Sequence, residues 1–302
     1  MRSLAAYVMR ARMNAITAAS AFALLSFFLP PIGVVSTAVI ALVTLRNGVG
    51  ECTRVSLCAG LAVTVLGFLL FGNPLMALAS VLLLWLPTAL IAVILRATRQ
   101  LALAFEVAAL LGILGVAGWY WFIPNPDDLW RQSFDALFAP LLDQFESKHD
   151  AEQVQAGLAF ISRVMVGIVV AASVLSMMLS LMLARSWQAL LYNPGGFRDE
   201  FLGLKIHPGI AYLSLAIVAA AALGRGTVSD AAWNMSFISL ILYLVAGLSV
   251  LHFVLSFRKA KHVFVTVMYV MLVLVPHIAF PVALIGYTDT WLNWRGRTAH
   301  PR

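Results

Sequence analysis

The sequence predicts an all-α fold, a polytopic transmembrane helix bundle of eight or nine spans. Three observations predict it. Of 302 residues, 62% are hydrophobic and 11% charged, whereas soluble domains run near ~45–50% apolar and about 25% charged. The apolar residues come in long runs without alternation, unlike barrel strands, which alternate in polarity over about 10 residues. The Lys and Arg residues gather at the ends of those runs. A soluble fold of this length could not hide so much apolar surface, so the bilayer must be the solvent for most of it. There every backbone polar group needs an internal partner, which leaves helices or a closed barrel.

A spanning helix needs about 20 mostly apolar residues. Segments 13–29, 32–45, 53–71, 75–95, 101–122, 157–184, 208–223, 232–257 and 263–287 make nine candidates, with 32–45 and 208–223 short. The first follows Arg2, Arg10 and Arg12 in the manner of a signal peptide. Pro30-Pro31 stand where a small-residue cleavage site would be, so 13–29 reads as a retained helix. Pro30-Pro31-Ile32-Gly33 and Gly72-Asn73-Pro74 separate successive helices. Pro276 and Pro281 interrupt the last segment, which makes a re-entrant ending the alternative to a ninth span.

Lys and Arg set the orientation. With the N-terminus in the cytoplasm of a bacterial inner membrane, thirteen of the 20 basic residues fall inside: Arg2, Arg10, Arg12, Arg46, Arg54, Arg96, Arg99, Arg185, Arg198, Lys205, Arg258, Lys259 and Lys261. Arg131, Lys148, Arg225, Arg295, Arg297 and Arg302 fall outside, and Arg163 lies within a helix. Eight spans would move the three tail arginines inside. The net charge of +7 reflects this placement and forms no basic tract, so nucleic acid is not a partner. Membrane lipids are. Cys52 and Cys58, six apart on one helix, face different directions and read as packing residues.

Two connections are long. Segment 123–156 carries Asp127, Asp128, Asp135, Asp143, Glu146, Asp150 and Glu152 against Arg131 and Lys148. Leu129, Trp130, Phe134, Leu137, Phe138, Leu141, Leu142 and Phe145 recur at helical spacing, which predicts an amphipathic helix kinked or broken near Pro140 and laid on the bundle mouth. In 185–207, Trp187, Leu190, Leu191 and Tyr192 predict an interfacial half-turn. Asn193-Pro194-Gly195-Gly196 ends it, and Phe197, Phe201 and Leu204 predict a second short amphipathic helix.

Ala11, Ala15, Ala19 and Ala23 stand four apart on the first helix. Small residues at that spacing let another helix approach closely. Packing within the chain and a face for a separate subunit both remain open. Gly112, Gly115 and Gly118 form a similar stripe, read as internal packing. Ionisable groups inside spans are costly and mark sites by default. Arg163 either holds an anionic ligand group in an outward cavity or snorkels to the interface. Glu106 is expected to neutralise Arg96 or Arg99. Trp119, Trp121 and Trp130, with Tyr120, mark the outer interface and are candidate lining for a ligand mouth. His252 and His277 read as packing residues. The His149-Asp150-Ala151-Glu152 run reads as a solvated acidic loop, so no metal or other cofactor is implied. Gly-x-Ser-x-Gly, His-Glu-x-x-His and phosphate-loop patterns are missing from the sequence, which argues against an enzyme.

Segments 13–184 place six spans with both ends on one side, with a Pro break and a short second helix ending Leu45-Arg46-Asn47-Gly48. With the Ala stripe, this resembles the substrate-binding S component of energy-coupling-factor vitamin importers. The whole chain, with Tyr192-Asn193-Pro194-Gly195-Gly196-Phe197, is similar to the YybS-like predicted membrane proteins of bacteria, regarded as distant relatives of the S components. The resemblance implies that Ala11, Ala15, Ala19 and Ala23 dock a transmembrane coupling subunit, with a separate ATPase driving uptake of a small molecule. It implies an S-component-like domain over 1–185, a cytoplasmic loop over 186–207 and additional helices over 208–302. The last have no counterpart in six-helix S components. The rival expectation is a membrane scaffold or regulatory protein that binds other envelope proteins and transports nothing.

Overall fold

A computed structural model describes residues 2–123, 125–142, 148–257 and 261–299. Among them there are helices and turns and no strand. The helices are α1 (Arg2–Arg10), α2 (Arg12–Ser26), α3 (Gly33–Asn47), α4 (Val49–Phe71), α5 (Pro74–Thr98), α6 (Leu101–Phe122) and α7 (Pro126–Leu142). They continue as α8 (Lys148–Tyr192), α9 (Gly196–Leu202), α10 (Pro208–Leu223), α11 (Thr227–Ser256), α12 (Lys261–Leu274), α13 (Ala279–Leu292) and α14 (Trp294–Ala299).

Each break has a local cause. Ala11 is extended (φ −153°, ψ 153°) and separates α1 from α2. Pro30–Ile32 forms a 3₁₀ turn before α3. Gly48, at φ +93°, turns the chain from α3 into α4 in a conformation that favours glycine. Asn73 caps α5, its side-chain oxygen accepting from the Leu75 N–H at 2.9 Å, and Pro74 fills the first turn.

Among the described residues, six helical stretches are long and apolar enough to cross a bilayer: Pro30–Asn47, Val49–Leu70, Val81–Thr98, Leu101–Phe122, Glu152–Tyr192 and Thr227–Ser256. His262–Leu274 and Pro276–Leu292 form a pair bent by 117°, for a seventh at most. The expectation of eight or nine full spans is therefore not met. At about 1.5 Å per residue, the 15 residues of α2 and the 16 of α10 cover less than the hydrocarbon core, which is about 30 Å thick.

The centre of the bundle is α3, the segment whose length had placed it in doubt. Every residue from Ser36 to Leu45 is buried. Its neighbours are α2, α4, α5 and α8. A helix apolar on all sides belongs inside such a shell. α8 runs unbroken through 45 residues, from the acidic connection to Tyr192. That is roughly 67 Å, about twice the hydrocarbon thickness, so one part of α8 projects beyond it. α7 lies along α8 and runs through Pro140 to Leu142, so of the kink or break expected there the break is excluded. The half-turn expected at 185–192 is likewise the last part of α8, and Trp187 is buried rather than interfacial.

The C-terminal side is fixed by Arg295. Its Nη2 donates to the Leu204 carbonyl at 2.6 Å and to Ser249 Oγ at 3.0 Å, and its Nη1 lies 3.4 Å from Asp289. Ser249 Oγ also donates to the Phe201 carbonyl at 2.5 Å. α12 starts close after the end of α11, beside the same loop. Both feet of the bent α12–α13 pair therefore stand at the end of the bundle that carries 196–207. The pair is re-entrant, and Arg295 joins Arg185 and Arg198 instead of facing the opposite end, where nine spans would have put it.

Candidate functional site

The sequence pointed to Arg163 and the tryptophans around it. α8 presents Arg163 to α11, where Nη2 lies 3.0 Å from Asp230 Oδ1. Arg163 thus has a counter-ion within this chain, and its side chain is 62% exposed. The neighbouring Asn234 is fully buried. Its amide nitrogen donates to the Arg163 carbonyl at 2.8 Å, and its amide oxygen accepts from the Gly167 N–H at 2.5 Å. These are the two groups that a regular helix pairs with each other, so Asn234 is inserted across the hydrogen-bond ladder of α8. The same nitrogen lies 3.0 Å from Tyr120 Oη on α6 and 2.8 Å from the Asp230 carbonyl. Tyr120 Oη donates to Asp127 Oδ1 of α7 at 3.4 Å. Burial, and then the nearby Asp230 carboxylate, push the Asp127 carboxyl above the ordinary range. One buried amide thereby ties α6, α7, α8 and α11 together.

The tryptophans do not join this network. Trp121 is 84% exposed and Trp119 37%, and Trp130 is half-buried on α7 against the core. Tyr120, which stands between the first two, does join. Asp230 and Asn234, four apart at the head of an apolar run, are the sequence signal for this network.

Glu106 is buried, and its Oε1 accepts the His207 N–H at 2.7 Å. It satisfies a free donor at the start of α10, where a carboxylate also meets the positive end of the helix. Arg96, one of its two expected partners with Arg99, donates instead to the Thr44 carbonyl at 3.0 Å. Of the Ala stripe, Ala15, Ala19 and Ala23 are buried by this chain's own α3 and α4, and Ala11 is exposed at the α1–α2 break. The Ala19 carbonyl accepts from Ser36 Oγ at 2.8 Å, and Ser20 Oγ donates to the Ala59 carbonyl at 3.3 Å. The stripe is thus internal packing, and the face expected to receive a coupling subunit is covered. Gly112 is also internal, with Val174 and Ile238 against it. In the loop, Asn193, Pro194 and Gly195 are exposed, Gly196 and Phe197 half-buried, and Gly195 takes φ +95°. The side chains of His149 and Asp150 lie outside the described residues.

Two open spaces stand out. A groove of about 700 Å³ runs between α4 and α5. Cys52, Ser56, Gly60 and Thr64 line it along α4, and Leu82, Trp85 and Leu86 along α5. Leu57, Leu61 and Leu86 on its walls are each at least 67% exposed, so it faces the acyl chains. Thr64 Oγ1 is buried there with no hydrogen-bond partner among the described residues. A second cavity, of about 440 Å³, lies between α8, α9, α11 and α12 at the end that carries 196–207.

Helices of this length and polarity, with their charge paired or moved to the ends, define an integral membrane protein. The chain belongs to the family of predicted membrane proteins DUF2232, whose sequence profile matches residues 16–290. No curated protein and no solved structure matches it.

Proposed function

We propose that the protein is a non-catalytic docking subunit of the membrane, and that the α4–α5 groove receives a transmembrane helix of another envelope protein. The groove itself is the observation that carries this reading. From Val49 to Thr64 it follows 16 residues of α4, a rise of about 22 Å, a large part of a bilayer crossing. Its floor repeats small residues every four positions, the pattern that lets helix backbones approach in lipid. An acyl chain would fill the space but would leave the Thr64 hydroxyl unpaired, at a cost that a polar group on a helix removes. The charge bias supports an inner-membrane orientation with the N-terminus inside.

A transport-type solute-binding subunit is the second reading, favoured by the cavity between α8, α9, α11 and α12. Uptake would need a separate ATPase and coupling subunit. Because the Ala stripe is covered, the α4–α5 groove is where that coupling subunit would dock.

The test is a photo-crosslinking amino acid placed at Leu61 or Leu86 in native membranes, with Leu215 on α10 as an outward-facing control. A protein adduct specific to the groove, and lost in Ser56→Trp, is the expected result. Adducts with lipid alone, with a second copy of the chain, or unchanged by Ser56→Trp would overturn the reading.

A further inference from the structure

The cavity between α8, α9, α11 and α12 is built differently from the groove. Phe197, Phe201 and Leu202 of α9, with Met182 and Leu255, give it an apolar wall. Its polar lining is Arg198, His252 and His262, with the hydroxyl residues Ser256 and Tyr269. No carboxylate lines it, and among the described residues neither Arg198 nor His262 has an ion-pair partner.

The histidine on α11 is held in place. His252 Nδ1 lies 2.8 Å from the Leu248 carbonyl, which fixes that nitrogen as a donor and leaves Nε2 on the far side of the ring. The ring stands edge-on between Phe201 and Tyr269, at 5.6 and 5.7 Å. His262 is the second residue of α12, a 14-residue helix whose first N–H groups have no partner within the helix. The positive end of that helix therefore adds to the charge of the side chains. A guanidinium with no ion-pair partner among the described residues and an imidazole beside a helix start suit an anion, and the aromatic and aliphatic wall suits an apolar body attached to it. The volume falls within the usual range for ligand sites, about 300–1,000 Å³. The cavity lies at the end of the bundle that carries Arg185, Arg198 and Arg295, and basic pockets between membrane helices are places where lipid head groups bind.

We propose that this cavity binds the phosphate group of an amphiphile, with Arg198 and His262 holding the anion, His252 facing it, and Phe197 and Phe201 against the apolar part. The phosphate can belong to an anionic lipid head group or to a free organic phosphate. The site is independent of the α4–α5 groove, so filling the groove leaves it intact.

The experiment uses the full chain in phosphatidylcholine nanodiscs containing phosphatidylglycerol, with retained lipid read by native mass spectrometry. The wild-type protein is expected to retain phosphatidylglycerol over phosphatidylcholine. Arg198→Ala combined with His262→Ala should weaken retention by about tenfold or more, the loss of a charge-assisted hydrogen bond. Arg198→Lys, which keeps the charge, should retain most of it. Titration with glycerol 3-phosphate separates the sources: displacement of the lipid at millimolar concentration assigns the site to soluble phosphates, and no displacement assigns it to the head group. Equal retention of the two lipids, or retention unchanged in a double variant that keeps the wild-type melting temperature, would overturn the proposal.

Discussion

The α8–α11 and α4–α5 seams begin from similar material and end differently. Each sets small residues on one helix against an apolar partner. At α8–α11, Gly167 lets the two backbones meet: an added Cβ would lie 2.6 Å from the Asn234 carbonyl oxygen. Every polar atom of the Asn234 side chain is then paired. At α4–α5, the approach at Gly60 is ordinary, with Val81 at 3.4 Å from an added Cβ, and beyond it the helices leave a groove with an unpaired hydroxyl. Small residues permit close approach but do not bring a neighbour. Bilayer lipid is as apolar as leucine, so packing and hydrogen bonds close a seam. One seam has both, and the other has a space.

The largest expected effect is at the closed seam. Gly167→Ala pushes a methyl into the α11 backbone, which cannot yield like a flexible side chain. Overpacking typically costs about 1–3 kcal/mol and more where backbone must move. The melting temperature in mild detergent should fall sharply, or the protein should fail to fold. A wild-type melting temperature would break the comparison, since it would mean that α8 and α11 do not touch as described.

Next is the alanine stripe on α2. Ala15 and Ala19 are covered by α3 and α4 and carry no contact with lipid. Ala15→Leu with Ala19→Leu should destabilise the isolated protein by about 1–3 kcal/mol per site. An unchanged melting temperature with loss of a bound partner would return the stripe to an external face. It would then belong with the α4–α5 seam rather than with the closed one.

The stripe also shows what the sequence could carry. Hydropathy gave the helices, the acidic helix α7, though Leu129 and Leu137 of its stripe are exposed, and the short helix with Phe201 buried, Leu204 being buried just past its end, because each depends on the local period of apolar residues. It counted eight or nine spans where six described stretches, or seven with the bent pair, are long and apolar enough, because α2, α10 and the two arms of the α12–α13 pair are apolar but short. Their length is decided by breaks and neighbours. Arg163 was visible as an ionisable residue in a span, but its partner Asp230 lies 67 positions away, and only the tertiary fold brings the two together. The same holds for Glu106 and His207 across 101 positions. Whether Ala15 and Ala19 face inward or outward depends on where α3 lies, and α3 is placed by α8 as much as by α2.

The smallest expected change is at Ser56, and it tests the open seam most directly. Ser56 stands in the middle of the α4 stripe, its hydroxyl 3.8 Å from Cys52 Sγ, and lines the groove. Ser56→Leu adds volume to a space of about 700 Å³. The exchange gives up one weak polar contact and places apolar atoms among apolar neighbours. The isolated protein should keep its melting temperature, within the roughly 0.5 kcal/mol that substitutions away from the core allow. The groove would then be narrower for an incoming helix, and co-purification of a partner from native membranes should fall. A loss of stability comparable to that of the Ala15, Ala19 pair would mean that α4 and α5 close on each other in the membrane. The contrast between the two seams would then vanish, along with the docking site drawn from it.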